Sequence, residues 1–246
     1  GGSNSAGLWR LVIRDIFNGG FADTGILYGW GIQFNNKINK PYLLNANSLI
    51  QGFYNPATNL MIKDTMRYYI RNTGIPYGIY DSAKAYLTGT GFTQLNLPNV
   101  NSGVALYMQL KHRNSLETWS IPFIFDPLSY QAIFDFRTSN TQAYGNNELQ
   151  VDLSPLAYAI ISGDVDQDGT IDATDLSEIE NNAILGTSGY VRSDITGDDF
   201  VDGSDVGLAE NNIGYSKSVP PGAIPPPADP ETIKQEFVSY SDPALE

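Results

Sequence analysis

No cysteine occurs in the 246 residues, and His112 is the only histidine. Without cysteine there is no disulfide framework, no Cys-ligated zinc, no iron–sulfur cluster and no thiol nucleophile. Secretion stays open, because an extracellular fold can be reinforced by calcium instead of disulfides. No run approaches the ~18 consecutive apolar residues that span a membrane. The opening Gly1-Gly2-Ser3-Asn4-Ser5 lacks the charged-then-apolar layout of a secretion signal, so a mature or trimmed chain is expected. Bases are scarce too, 14 against 27 acids. The excess is local: residues 164–210 hold ten Asp and three Glu against Arg192 alone, −12 of the total −13. Carboxylates at that density repel one another unless a cation sits among them, and the surface they make is a poor one for nucleic acid.

Four stretches are expected along the chain. In residues 1–36, Trp9, Leu11 and Ile13 share one face of a strand, and Tyr28, Trp30, Ile32 and Phe34 share one face of a second, which reads as a β-hairpin. Residues 41–161 show short β-rich runs at Ser48–Tyr54, Met66–Arg71, Ala83–Leu87, Phe92–Leu97, Val104–His112, Thr118–Phe125, Tyr130–Phe136 and Tyr158–Ile161. Turn residues separate them at the spacing of an all-β sandwich, and helical periodicity is missing. Val104, Leu106, Met108 and Leu110 alternate with Ala105, Tyr107, Gln109 and Lys111, predicting one face in and one out. Residues 163–215 are the acidic module. Residues 216–246 carry five prolines in 220–227, which predicts an extended polyproline spacer, with a short docked element near Phe237–Tyr240.

The acidic module holds the motif with chemistry. Asp164, Asp166, Asp168, Asp172 and Asp175 stand at positions 1, 3, 5, 9 and 12 of a twelve-residue loop, and Thr170 at position 7 offers its backbone carbonyl. Calcium takes six to eight oxygen ligands, and this spacing supplies them. Gly169 at position 6 suits a chain reversal in the left-handed region. Ile171 is expected to tie the loop to the core, and Leu176, Ile179 and Ile184 to form the apolar face of a following helix. Thirty residues on the unit recurs, with Asp194, Thr196, Asp198, Phe200, Asp202 and Asp205 in the ligand positions. Thr196 replaces an acid at position 3 and Asp199 a glycine at position 6, so the second calcium site is expected to be the weaker.

Paired loop–helix units at this separation, each ending in Asp at position 12, resemble the dockerin type I repeat. The 41–161 stretch resembles the immunoglobulin-like β-domains that often precede dockerin-like repeats in bacterial surface proteins, most visibly at Lys111–Trp119. Gly7-x-Trp9-x-Leu11 to Asp15, then Asp23-x-Gly25-x-Leu27-x-x-Trp30-x-Ile32-x-Phe34, resembles the last two strands of the P domain of subtilisin-like convertases. Together these imply a mainly β protein: a sandwich with an N-terminal hairpin and a small helical calcium module.

Catalysis has little support. His112, Ser115 and an Asp invite a triad reading, but no nucleophile elbow or Gly-rich oxyanion loop accompanies them, and a structural histidine is expected. Fifteen Tyr and three Trp do not argue for sugar binding, since a sandwich uses such residues anyway. The expectation is therefore a non-catalytic, calcium-stabilised structural or adhesive protein of the cell surface or extracellular space. Its partner is itself, through strand exchange into a fibre. Two alternatives stand beside it: a dockerin on a cohesin-like partner, for which Ala173-Thr174 and Gly203-Ser204 match incompletely at loop positions 10 and 11, or the non-catalytic C-terminal region of a secreted protease.

Overall fold

Alternating apolar residues lay down the strands of a mainly β fold, which the computed structural model describes for residues 41–101 and 103–226. The expected hairpin at 1–36 and the element near Phe237–Tyr240 lie outside the described residues. In chain order β1 (Tyr42–Asn47) is followed by a 3-10 turn at Gln51–Phe53 and the small hairpin β2 (Tyr54–Asn55) and β3 (Leu60–Met61). Then come β4 (Asp64–Asn72), β5 (Ile79–Leu87), β6 (Phe92–Leu97), β7 (Leu106–His112), β8 (Ser115–Trp119) and β9 (Gln131–Asp135). The hairpin β10 (Leu149–Leu153) and β11 (Leu156–Ala159) precedes two helices, α1 (Ala173–Ile184) and α2 (Gly203–Asn212).

Strands β6-β1-β9 form one sheet, with β1 antiparallel to β6 and parallel to β9. Strands β5-β4-β7-β8 form a second, fully antiparallel sheet. Leu44 and Ala46 of β1, Leu95 and Leu97 of β6 and Phe134 of β9 share one core with Met66, Tyr68 and Ile70 of β4 and Leu106, Met108 and Leu110 of β7. Each such side chain, fully buried, contributes roughly 1.5–3 kcal/mol.

Three local expectations are corrected. Ser48–Tyr54 is not a continuous strand: Ser48 follows β1, and the 3-10 turn intervenes before β2. Strand β7 does not have one wet face. Gln109 and Trp119 are buried opposite the core, because residues 136–148 cover that side of the sheet, with Asn147 Nδ2 donating to the Glu117 carbonyl and the Tyr144 ring edge-on to Tyr107. Arg71 is buried in the same layer, 5.0 Å from the Trp119 ring centre and donating to Gln109 Oε1 and the Tyr77 carbonyl. Val104, by contrast, is exposed and precedes the strand. Residues 216–226 are not an extended spacer. Ala223 N–H closes a turn onto the Pro220 carbonyl, Pro220 is buried, and Gly222 lies against Ile75.

Candidate metal centre

Each loop is built the same way from its sequence. Asp172 caps α1 by accepting from Thr174 N–H, while Asp175 accepts back from Asp172 N–H at 3.0 Å. Asp202 and Asp205 form the same capping box on α2. The other oxygen of Asp175 takes the N–H groups of Val165 and Asp166, at 2.8 and 3.1 Å, and Asp205 takes those of Ile195 and Thr196. The position-12 carboxylate therefore ties the start of each loop to its end. Behind each loop a two-residue ladder forms with the segment leaving the other unit's helix. Ile171 N–H bonds the Tyr215 carbonyl and Lys217 N–H the Gly169 carbonyl, while Val201 pairs with Thr187 and Gly189 with Asp199. None of these bonds uses the carbonyls of Thr170 or Phe200, the position-7 oxygens.

In the first loop the carboxylates of Asp164, Asp166 and Asp168 have oxygens within 4.8 Å of one another. Asp164 is buried, and its carboxylate is met by one long contact, Gly169 N–H at 3.4 Å. Burial pushes its carboxyl up to about 7, Gly169 N–H opposing and the charges of Asp175, Asp166 and Asp168 adding to the rise. Burial likewise raises Asp175 against its three backbone donors. A mutually repelling, all-oxygen donor set with Asp164 buried at its base and Asp168 exposed at its rim fits a hard divalent cation such as calcium. Asp172, by contrast, is engaged as the helix cap through Oδ1.

The second loop brings its position-1 carboxylate into different company. Asp194 Oδ1 accepts from Gly197 N–H at 2.7 Å and Oδ2 from Asp199 N–H at 3.2 Å, and Arg113 Nη2 lies 3.7 Å from Oδ2. Burial raises this carboxyl as well, the two N–H groups and Arg113 opposing. Thr196 does not stand in for an acid: its hydroxyl donates to Asp205 at 3.0 Å. Asp198 accepts from Phe200 N–H, the counterpart of Asp168 and Thr170.

Both loops turn left-handed at positions 4 and 6. Gln167 and Gly169 have φ of 65° and 96°, Gly197 and Asp199 of 78° and 69°. Each loop thus places one glycine and one side-chain-bearing residue in that region, so the Asp199 strain expected of the second loop is matched by Gln167 in the first. Of the apolar helix face, Ile179 is buried and Leu176 packs beside it, but Ile184 is 83% exposed at the end of α1. Ile171 is buried with Leu116 and Ile161.

The β7–β8 turn inserts between the sheets and the loops, and sequence spacing gave no hint of it. His112 Nε2 lies 3.1 Å from Asp64 Oδ2 and Nδ1 3.0 Å from Ser115 Oγ. Burial lowers the histidine pKa, the Asp64 hydrogen bond and charge partly offsetting it, so the neutral ring donates to Asp64 and accepts from Ser115. These are the distances of a triad, but Asp64, His112 and Ser115 are all buried, and the open depression of about 440 Å³ over residues 52–62 is lined by none of them. Asp64 also takes Arg113 Nε at 3.0 Å and Tyr190 Oη at 2.6 Å. Asn114 Nδ2 donates to the Asp194 carbonyl, and its own carbonyl accepts from Gly163 N–H.

No family model matches the chain, and no curated protein matches it. Among solved structures it is similar to two interface mutants of a type II cohesin–X-dockerin complex from Acetivibrio cellulolyticus. The C-terminal interface mutant aligns at 14% identity over 71% of this chain and 96% of that one, with a TM-score of 0.44. The N-terminal interface mutant aligns at 16% identity over 72% and 94%, with a TM-score of 0.40. Scores below 0.5 do not establish a common fold. No helix among the described residues is long and apolar enough to cross a membrane.

Proposed function

We propose that this chain is a non-catalytic structural module of an extracellular or cell-surface protein, with calcium in the 164–175 loop fixing the acidic module against the β-sandwich. The observation that carries the reading is the convergence of Asp164, Asp166 and Asp168, with Asp164 buried and poorly compensated by protein donors. Thr170, Asp172 and Asp175 complete the proposed ligand set, and Asp194, Thr196, Asp198, Phe200, Asp202 and Asp205 form a weaker second one. The dockerin-like name for this pair and the immunoglobulin-like name for the sandwich rest on the sequence resemblance. Self-association through a terminal segment, the 1–36 hairpin or the element near Phe237–Tyr240, rests on the apolar faces expected of the hairpin. Deleting residues 1–36 and measuring mass by light scattering tests it, and a full-length chain that stays monomeric in calcium at high concentration ends that part of the proposal.

The metal reading is tested by thermal melts in chelator and in millimolar calcium. Binding to the folded state alone stabilises by about 2.7 kcal/mol at a hundred-fold excess over Kd. Extracellular loops of this kind bind at ~10⁻⁴ to 10⁻³ M, so millimolar calcium lifts the melting temperature measurably. Asp175→Ala removes most of that lift. Superimposable melts with and without calcium would refute the reading.

A further inference from the structure

The geometry points to Arg113, from the β7–β8 turn, as the resident cation of the second loop: it neutralises Asp194 from outside the loop, and calcium binds there in competition with it.

The two loops differ at one place that their repeat does not encode. In the first loop the Asp164 carboxylate has a single long N–H contact, and the base that reaches the loop, Lys217, donates to the Asp168 backbone carbonyl at 3.2 Å instead of to a carboxylate. In the second loop the equivalent Asp194 receives two N–H groups and the Arg113 guanidinium. The guanidinium is held for this task from four sides. Its Nε bonds Asp64 Oδ2, itself buried at the start of β4, and its Nη1 donates to the Val191 carbonyl just ahead of the loop. Its Cζ lies 4.3 Å from the Tyr190 ring centre and 5.4 Å from that of Phe53. Tyr190 is in turn bonded to Asp64 through its hydroxyl. A guanidinium already bonded through Nε and Nη1 and lying over two rings loses little freedom when it pairs with a second carboxylate.

Thr196 belongs to the same arrangement. With an uncharged residue at position 3 and an arginine on position 1, the ligand carboxylates of the second loop are Asp194, Asp198, Asp202 and Asp205, less the charge that Arg113 cancels. The first loop keeps five, and its neighbouring base, Lys217, is bonded to a backbone carbonyl and not to a ligand carboxylate. Affinity in loops of this kind follows the charge count, so the second loop is closed by the protein's own cation and the first awaits an added one. Because Arg113 also holds Asp64, calcium entering the second loop has to weaken the tie between the sandwich and the module, whereas calcium entering the first does not.

The inference rests on the calcium reading for its comparison of the loops, and two measurements on the full chain separate them. Isothermal titration with calcium chloride is done on Asp164→Asn, which silences the first loop, with and without Arg113→Met. The double variant is expected to bind calcium about ten-fold more tightly, since one cation leaves the site. Unchanged or weaker binding overturns the inference. Hydrogen exchange in chelator is the arm that needs no metal. Arg113→Met should speed exchange at Ile195, Gly197 and Asp199 and leave Val165 and Gly169 unchanged, and equal rates at both loops overturn the inference even if the wild-type chain binds no calcium, an outcome that by itself sinks only the calcium reading. If Arg113→Met does not fold, Arg113→Lys, which keeps a charge without the fork, is read in the same assays and should show the same two changes at smaller size.

Discussion

A carboxylate buried with little compensation works against folding, and Asp164, with one long N–H contact, is such a group. Its pKa is raised to about 7 in the metal-free protein, above the unfolded value near 3.9. Its contribution to stability is therefore present in acid and lost as pH rises through 7, because the folded state must then hold an ion that the unfolded chain solvates. Asp164→Asn should raise stability in chelator at pH 8, on the order of 2 kcal/mol against a ceiling near ~4. The same variant should lose the response to calcium. Denaturant titrations with and without calcium check both signs, and a variant less stable than wild type in chelator contradicts the first.

His112 tilts the other way. Its folded pKa lies below the unfolded ~6.5 because burial disfavours the imidazolium. The unfolded chain then binds the extra proton, so this contribution is complete above pH 6.5 and is lost as pH falls below it. Asp64, held well below the usual carboxylate range by His112, Tyr190 and Thr65 despite its burial, adds the same sign in a lower window, beneath pH 4. His112→Gln should flatten the slope of stability between pH 7 and 5 relative to wild type in the same buffer. If the two slopes are equal, the ring is not buried neutral. The convergence of Asp164, Asp166 and Asp168 could be read from sequence because a twelve-residue loop is local and spacing fixes where its carboxylates fall. Arg113, Asp64 and Tyr190 could not, because they meet only through strand pairing and the packing of the β7–β8 turn.

At the scale of elements, most strands followed from alternation and turn residues, and the misreadings have physical causes. Gln109 and Trp119 sit on a face that alternation marks as outward, yet a long connection covers it. A covering loop leaves no periodic trace. Leu149–Leu153 was not anticipated as a strand: its Leu153 is 83% exposed and its pairing with β11 shifts register at Gln150, so the usual alternation is absent. The proline-rich 216–226 segment failed for a related reason, since proline fixes φ but not where a chain packs. In the loops, positions 4 and 6 carry the signal that composition hides. Gln167→Gly and Asp199→Gly each replace a left-handed residue bearing a Cβ by one that adopts the region freely. Against this stands the larger backbone entropy that glycine gives the unfolded chain. Asp tolerates the region better than Gln, but Gln167 Nε2 also donates to the Asp164 and Ser115 carbonyls at 2.6 and 3.3 Å, bonds worth about 0.5–1.5 kcal/mol each. Asp199→Gly should therefore be the more favourable of the two; thermal melts in chelator rank the pair, and the reverse order means that strain at Gln167 outweighs its hydrogen bonds.

For the described molecule from 41 to 226, the decisive contact is how closely the 3-10 turn after β1 approaches the second loop. A Cβ built on Gly52 would stand 2.0 Å from the Ile195 carbonyl oxygen and 2.8 Å from Leu208 Cδ2. Gly52 N–H meanwhile bonds Ser162 Oγ, and the adjacent Gln51 exchanges amide hydrogen bonds with Asn212 at the end of α2. The turn cannot retreat without breaking these, and Ile195 cannot retreat without pulling Asp194 from Arg113 and Asn114. Overpacking a site walled by the Ile195 backbone and the Leu208 side chain costs roughly 1–3 kcal/mol. Gly52→Ala should therefore destabilise the chain by about that amount. The sandwich and the loop module share these bonds, so β7 amides and α2 amides should lose protection together, measured by native-state hydrogen exchange over a denaturant series. The outcome that refutes this is α2 opening at low denaturant in Gly52→Ala while β7 keeps its wild-type protection, for then the two parts fold independently and the contact at Ile195 is incidental.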